Sequence, residues 1–176
     1  EAHTERAAIL RARGEYAAAV AEIAQAAESV PYDRAEIYLL AGQYDQAMDA
    51  LAGQEDHESA HLRAQIHHLR GDVAAAIAGY HAALEESGEI APRARAKTLR
   101  GLGAALASAG EYSAARDALG DALALYRAEM EPDALQIGRT LRLLAAVHLA
   151  AGDTDAAIAT QSPGHMNHNG IEHCSM

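Results

Sequence analysis

The sequence predicts an all-α solenoid of about five helical hairpins, the last one incomplete, and three observations carry that expectation. Alanine supplies 45 of the 176 residues, Trp and Phe are absent, and seven Tyr are the only aromatic residues. Alanine is the best helix former and lets helix axes approach, whereas a β sandwich or barrel would want far more Val, Ile, Thr and aromatic side chains. A turn glycine recurs five times in one frame, at Gly14, Gly42, Gly71, Gly110 and Gly152. Around those glycines, rows of tiny and of large side chains keep fixed offsets.

Seven residues before the glycines stand Ala7, Ala35, Ala64, Gly103 and Ala145, and five after them Ala19, Ala47, Ala76, Ala115 and Ala157. Four before them comes a larger group: Leu10, Tyr38, His67, Leu106 and His148. Nine after them lie Ile23, Leu51, Tyr80 and Leu119, and Gln161 breaks the row. Chance explains one alanine row in so alanine-rich a chain, but not four rows in one frame.

The first hairpin turns at Gly14-Glu15-Tyr16, the second at Gly42-Gln43-Tyr44 and the third at Gly71-Asp72-Val73. The fourth turns at Gly110-Glu111-Tyr112 and the fifth at Gly152-Asp153-Thr154. Each glycine ends a first helix, because a left-handed backbone costs it nothing. The acidic residue that follows in four copies meets the positive end of the next helix dipole. Paired small residues let the two helices close on each other, and hairpins that cannot bury an apolar face alone must stack. The glycines lie 28, 29, 39 and 42 residues apart, so the first two repeats require short helices or tight turns.

The pattern stops after Thr160. Residues 162–176 contain no Ala, Leu or Arg, but hold the chain's only asparagines, Asn167 and Asn169, and its only cysteine, Cys174. This tail reads as a native disordered segment or, better on composition, as a cloning remnant or fused peptide, distinct from the repeat domain of residues 1–161. The chain opens at Glu1 without a Met, as an excerpt of a longer protein would.

The repeats resemble the tetratricopeptide repeat (TPR) family. The fourth copy carries most of the likeness, with Leu99, Leu102, Gly103 and Leu106 ahead of its turn, then Ala115, Leu119 and Ala122; the first copy has a closing proline, Pro31. The resemblance spans residues 1 to about 161 and implies a right-handed superhelix. It also implies that the first helices line a concave groove for extended peptides or partner helices. Arg6, Arg34 and Arg63 depart from the family's Leu, its Trp is missing, and the usual period is about 34. The two longer spacings resemble repeats of some bacterial regulators and motor light chains.

The composition excludes other classes. No apolar run approaches the roughly 18 residues of a membrane span, and nothing resembles a signal peptide. The balance of 14 basic against 25 acidic residues, net −11, weighs against direct nucleic-acid binding. A single cysteine suits a reducing, cytoplasmic setting. No phosphate-binding loop, dinucleotide fingerprint or nucleophile elbow occurs, and Gly101-Leu102-Gly103 fits close helix packing.

His57-Glu58-Ser59-Ala60-His61 has the form HExxH, the zincin signature, with His67 at a metzincin's third-ligand position. Metzincins need a glycine before that third histidine, where this chain has Ala64 of a packing row. On an unbroken helix His67 lies roughly 80° from His57. A thermolysin-like site would recruit Glu85 or Glu86 from the partner helix, but the groove side of the first helix should face away from it. The tail's His165, His168, His173 and Cys174 fit no ordered metal site. The expectation is therefore no enzyme, no cofactor and no metal, with a zinc peptidase as the remote alternative.

The groove is the more informative constellation. Ten and thirteen residues before the last two turn glycines stand Arg100 with Lys97 and Arg142 with Arg139, so stacking should gather four cations. Arg offers bidentate geometry to carboxylate or phosphate. The plainer reading has all four solvated and paired with the abundant Glu and Asp. Toward the N-terminal half the lining turns mixed, with Tyr32, Glu36, Glu58, His61, Gln65 and His68. The asparagines of the chaperone-binding relatives' carboxylate clamp are missing: Ala8, Glu36, Gln65, Ala104 and Ala146 stand there.

The sequence thus predicts a non-enzymatic scaffold that binds a protein or peptide, acidic segments at its basic half, with the chain's own tail as one candidate ligand. An uncapped fifth hairpin predicts a longer parent, a covering tail or self-association at that end. The alternative is a sensor or regulatory domain of a larger bacterial signalling or transcription protein.

Overall fold

The computed structural model describes residues 2–26, 30–85, 90–129 and 133–161; the tail at 162–176 lies outside them. They form ten helices and no strand: α1 (Ala2–Ala12), α2 (Tyr16–Gln25), α3 (Pro31–Leu40), α4 (Tyr44–Ala50), α5 (His57–Arg70), α6 (Val73–Glu85), α7 (Pro92–Ser108), α8 (Tyr112–Ala128), α9 (Ala134–Ala150) and α10 (Thr154–Gln161). None is long and apolar enough to cross a membrane. Five hairpins result, with short α2 and α4 where the glycine spacing is tightest.

All five turns are built alike. The turn glycines have φ between 74° and 87°, where any other residue would be strained. The amide of the residue after each glycine reaches back to the carbonyl of the large-side-chain row: Glu15 to Leu10, Gln43 to Tyr38, Asp72 to His67, Glu111 to Leu106 and Asp153 to His148, at 2.8–2.9 Å. This Schellman closure satisfies carbonyls that a helix end would otherwise expose. Of the acidic residues, Asp153 goes further and accepts the Ala156 amide at 3.1 Å; Glu15 and Glu111 make no side-chain cap. Elsewhere Pro31 and Pro92 open α3 and α7, while Asp56 and Asp133 cap α5 and α9.

The rows of small residues form the seam of each hairpin. Ala7, Ala35, Ala64 and Ala145 on the first helices, and Ala19, Ala47, Ala76 and Ala115 on the second, are fully buried. Ile23, Leu51, Tyr80 and Leu119 are buried beside them, each contributing about 1.5–3 kcal/mol. Gly103 and Gly101 are packing residues, as expected. A Cβ on Gly103 would stand 2.6 Å from Leu119 Cγ, and one on Gly101 would stand 2.7 Å from the Tyr80 ring.

Hairpins stack in chain order, α2 on α3, α4 on α5, α6 on α7 and α8 on α9. First helices also touch one another, α3 to α5, α5 to α7 and α7 to α9, whereas no contact of that extent joins the described second helices. The first helices therefore form the inner layer.

The unexpected arginines explain the short spacings. Arg34 donates to the Ala26 carbonyl at 2.9 Å, just past α2. Arg63 donates to the Leu51 and Gln54 carbonyls at 3.1 and 2.7 Å, just past α4. A second helix of 10 or 7 residues leaves its terminal carbonyls beside the next first helix, within a guanidinium's reach. After α6 and α8, of 13 and 17 residues, the same row holds Leu102 and Leu144.

Glycines on the fourth hairpin test the seam. Gly103→Ala should lower the urea-unfolding free energy by about 1–3 kcal/mol through overpacking against Leu119. Gly120, with nothing within 4 Å of an added Cβ, should tolerate Ala and gain about 0.5–1 kcal/mol in helix propensity. Equal effects at the two positions would contradict the seam.

Candidate functional site

Contact between successive first helices turns one face of α5, α7 and α9 onto a common cavity of about 530 Å³. His57, Glu58 and His61 enter it from α5, Lys97, Thr98 and Arg100 from α7, and Gln136 and Arg139 from α9; Glu36, Arg93 and Tyr126 also line it. The spacing of three between Lys97 and Arg100 puts both on one helix face.

Three of the four expected cations meet here. Lys97, Arg100 and Arg139 line the cavity, while Arg142 is exposed and outside it. No further first helix among the described residues packs against α9 to fold Arg142 inward as α9 does for Arg100. Among the described residues none of the three pairs with a carboxylate. Among the described residues Arg100, Arg139 and Arg142 make no ion pair, and Lys97 donates to the Tyr32 hydroxyl at 3.1 Å with its ammonium 5.8 Å from that ring's centre. Arg93 is the satisfied cation, bound to Glu129 at 3.2 Å and Asp133 at 2.5 Å. The Arg100 Nε and Gln136 Oε1 atoms are buried with no hydrogen-bond partner among the described residues.

The other expected residues divide. Glu36 lines the cavity but is ion-paired to Arg11. Gln65 is half-buried on α5 and is not part of the lining. His68 belongs to a second cavity of about 400 Å³ at the other end of α7 and α9, walled by Ala104, Ala107, Leu143 and Val147. There it meets Ser108 Oγ at 3.0 Å, and burial lowers its pKa.

The floor of the first cavity was not legible in the sequence. Thr98, fully buried, sits between both histidines of the HExxH segment, 3.0 Å from His57 Nε2 and 3.1 Å from His61 Nδ1. His57 Nδ1 lies 2.9 Å from the Ala83 carbonyl, which only accepts, so that nitrogen carries the proton. Thr98 Oγ1, which donates to the Ala94 carbonyl at 3.2 Å, accepts from Nδ1–H of the neutral His61 ring. Through Ala83, His57 does contact the partner helix α6, correcting the expectation that this side of α5 faces away. As the first residue of α5, it lies where the hairpin's two helix ends meet. His67 turns to Asp72 at 3.6 Å, off the face of His57. Among the described residues no three His, Cys, Asp or Glu are placed to hold a metal ion. His57 and His61 of the HExxH segment instead tie α5 to α7 through Thr98, and His57 ties it to α6 through Ala83.

His61 is 5 % exposed and its ring is tilted against Tyr80 at 5.5 Å. Burial holds its pKa down at about 3, with Lys97, His57 and Arg100 adding to the effect. The Tyr80 hydroxyl is pushed up by burial against the pull of Arg100. A neutral imidazole beneath unpaired cations leaves the cavity's positive charge at its walls.

A histidine neutral in the fold but ordinary when unfolded makes the unfolded state bind the extra proton. Its contribution to stability is complete above pH 6.5 and is lost as the pH falls toward 3. Relative to His61→Gln, the protein should lose about 1.4 kcal/mol of unfolding free energy per pH unit between pH 6 and 4. A pH-independent difference would contradict the buried neutral ring.

The comparisons agree with this architecture. Residues 95–161 match the family model of the tetratricopeptide repeat. The fold resembles a kinesin-light-chain TPR-like repeat structure from Podosopora anserina, with 17 % identity, TM-score 0.68 and coverage of 90 % of this chain and 89 % of that one. It also resembles BtubC (BKLC) from P. vanneervenii, with 21 % identity, TM-score 0.65 and coverage of 88 % and 74 %. MamA has 15 % identity, TM-score 0.61 and coverage of 90 % and 85 %. No curated protein sequence matches the chain. The five glycine-turned hairpins thus form a TPR-like solenoid, and its residues 95–161 match the tetratricopeptide repeat model.

Proposed function

We propose that this protein is a non-catalytic interaction module that seats an acidic segment of a protein or peptide in the cavity between α5, α7 and α9. One observation carries the reading: Lys97, Arg100 and Arg139 converge there without carboxylate partners among the described residues, in a chain of net charge −11. With 25 acidic residues available, three cations facing one cavity unpaired are best matched by carboxylates from outside. Arg100 and Arg139 offer paired donors to a carboxylate, and the buried Arg100 Nε and Gln136 Oε1 have hydrogen bonds still to make. The tail is a poorer match, since Glu172 is its only acidic side chain.

A fluorescent peptide rich in Glu and Asp, followed by anisotropy, tests this. Binding should weaken about tenfold or more in Lys97→Glu/Arg100→Glu and fall as salt shortens the roughly 10 Å screening length. Arg142→Glu, outside the cavity, should bind like the parent. Equal binding by parent and double variant would refute the site.

A further inference from the structure

Two carboxylates, Glu36 and Glu58, line the cavity between α5, α7 and α9 beside its cations. Glu58 is exposed, where water screens it. Glu36 is half-buried and stands four residues after Tyr32, so the two share one face of α3. Lys97 is held at that face, its ammonium 3.1 Å from the Tyr32 hydroxyl. A carboxylate and a cation thus adjoin one face of α3, yet no ion pair joins them among the described residues.

The Glu36 carboxylate is engaged from the other side, by the Arg11 guanidinium near the end of α1. Neither residue follows its row. Three residues before the other turn glycines stand Leu39, His68, Ala107 and Leu149, where the first hairpin has Arg11. Six before them stand Ala8, Gln65, Ala104 and Ala146, where the second has Glu36. The one acid of its row therefore occurs in the hairpin that follows the one arginine of the other.

We propose that Arg11 is a positioning residue for the cavity: by holding Glu36 it keeps that carboxylate from Lys97 and leaves the cation to an incoming ligand. The consequence for binding rests on the acidic-segment reading above; the restraint itself does not. Without Arg11, Glu36 turns to Lys97, and an acidic segment has to displace an internal carboxylate. The first hairpin contributes nothing to the cavity's lining, yet it sets the charge found there.

Lys97 is the chain's only lysine, so its ε-methylene gives one unambiguous proton–carbon NMR cross-peak. In the ligand-free full chain that peak should move in Arg11→Ala and return in Arg11→Ala/Glu36→Gln, which has the parent's net charge. Arg13→Ala removes the same charge from the same helix end, where Arg13 is exposed, and should leave the peak in place. The acidic fluorescent peptide reports the consequence. Arg11→Ala should weaken its binding about threefold or more, and Arg13→Ala should not. The gain from Glu36→Gln should be larger in the Arg11→Ala background than in the parent, since the two sites are coupled. A Lys97 peak unmoved by Arg11→Ala, no return in the double variant, or equal losses in Arg11→Ala and Arg13→Ala would overturn the proposal. A parent that binds no peptide would refute the acidic-segment reading alone, and the Lys97 peak would still decide the restraint.

Discussion

The whole structure depends on how closely two helices of a hairpin can approach. At each seam the facing positions carry a methyl group or less, and the helix axes draw together until the larger side chains at neighbouring positions interdigitate. The same closeness leaves Gly103 no room for a Cβ, and between hairpins Tyr80 of α6 lies against Gly101 of α7. A hairpin closed this way is a flat, rigid unit. Stacking such units places the first helices in one inner layer and turns their side chains onto shared cavities.

Electrostatics then distributes the charge within that layer. Burying an imidazole beside Lys97 and Arg100 keeps it neutral, so His61 serves as packing and as a hydrogen-bond donor to Thr98. The cations stay at the cavity walls, partly in water, where desolvation costs them little. A carboxylate arriving there would be attracted by the walls without having to displace an internal partner. The cavity at the other end of α7 and α9 is mostly apolar, so the inner layer changes from charged to greasy along the helices.

The seam, the turns and the number of hairpins were legible because each is a local relation repeated at a fixed offset. The glycine frame located all five Schellman turns, and the alanine rows located the buried contact. Relations between hairpins were much less legible. The Arg34 and Arg63 clasps act on carbonyls of irregular connections, which leave no side-chain pattern to read. Thr98 bridges histidines 41 and 37 residues away, and nothing in its own neighbourhood announces the bond. Arg142 shares a row with Arg100, but rows predict equivalent surroundings only where a following repeat supplies them. The surroundings of the HExxH segment were illegible for a related reason: its spacing specifies one helix face, while what other helices bring to that face, here Thr98 and the Ala83 carbonyl, comes from distant sequence.

The central claim is that this packing makes a carboxylate receptor of the cavity between α5, α7 and α9. Amide and imidazole NMR shifts during titration with a short glutamate-rich peptide test it most directly. The account predicts saturable shifts concentrated at His57, His61, Lys97, Thr98, Arg100 and Arg139, with Arg142 and the turn glycines unmoved. Shifts spread over the acidic outer helices, or none at the cavity, would contradict it.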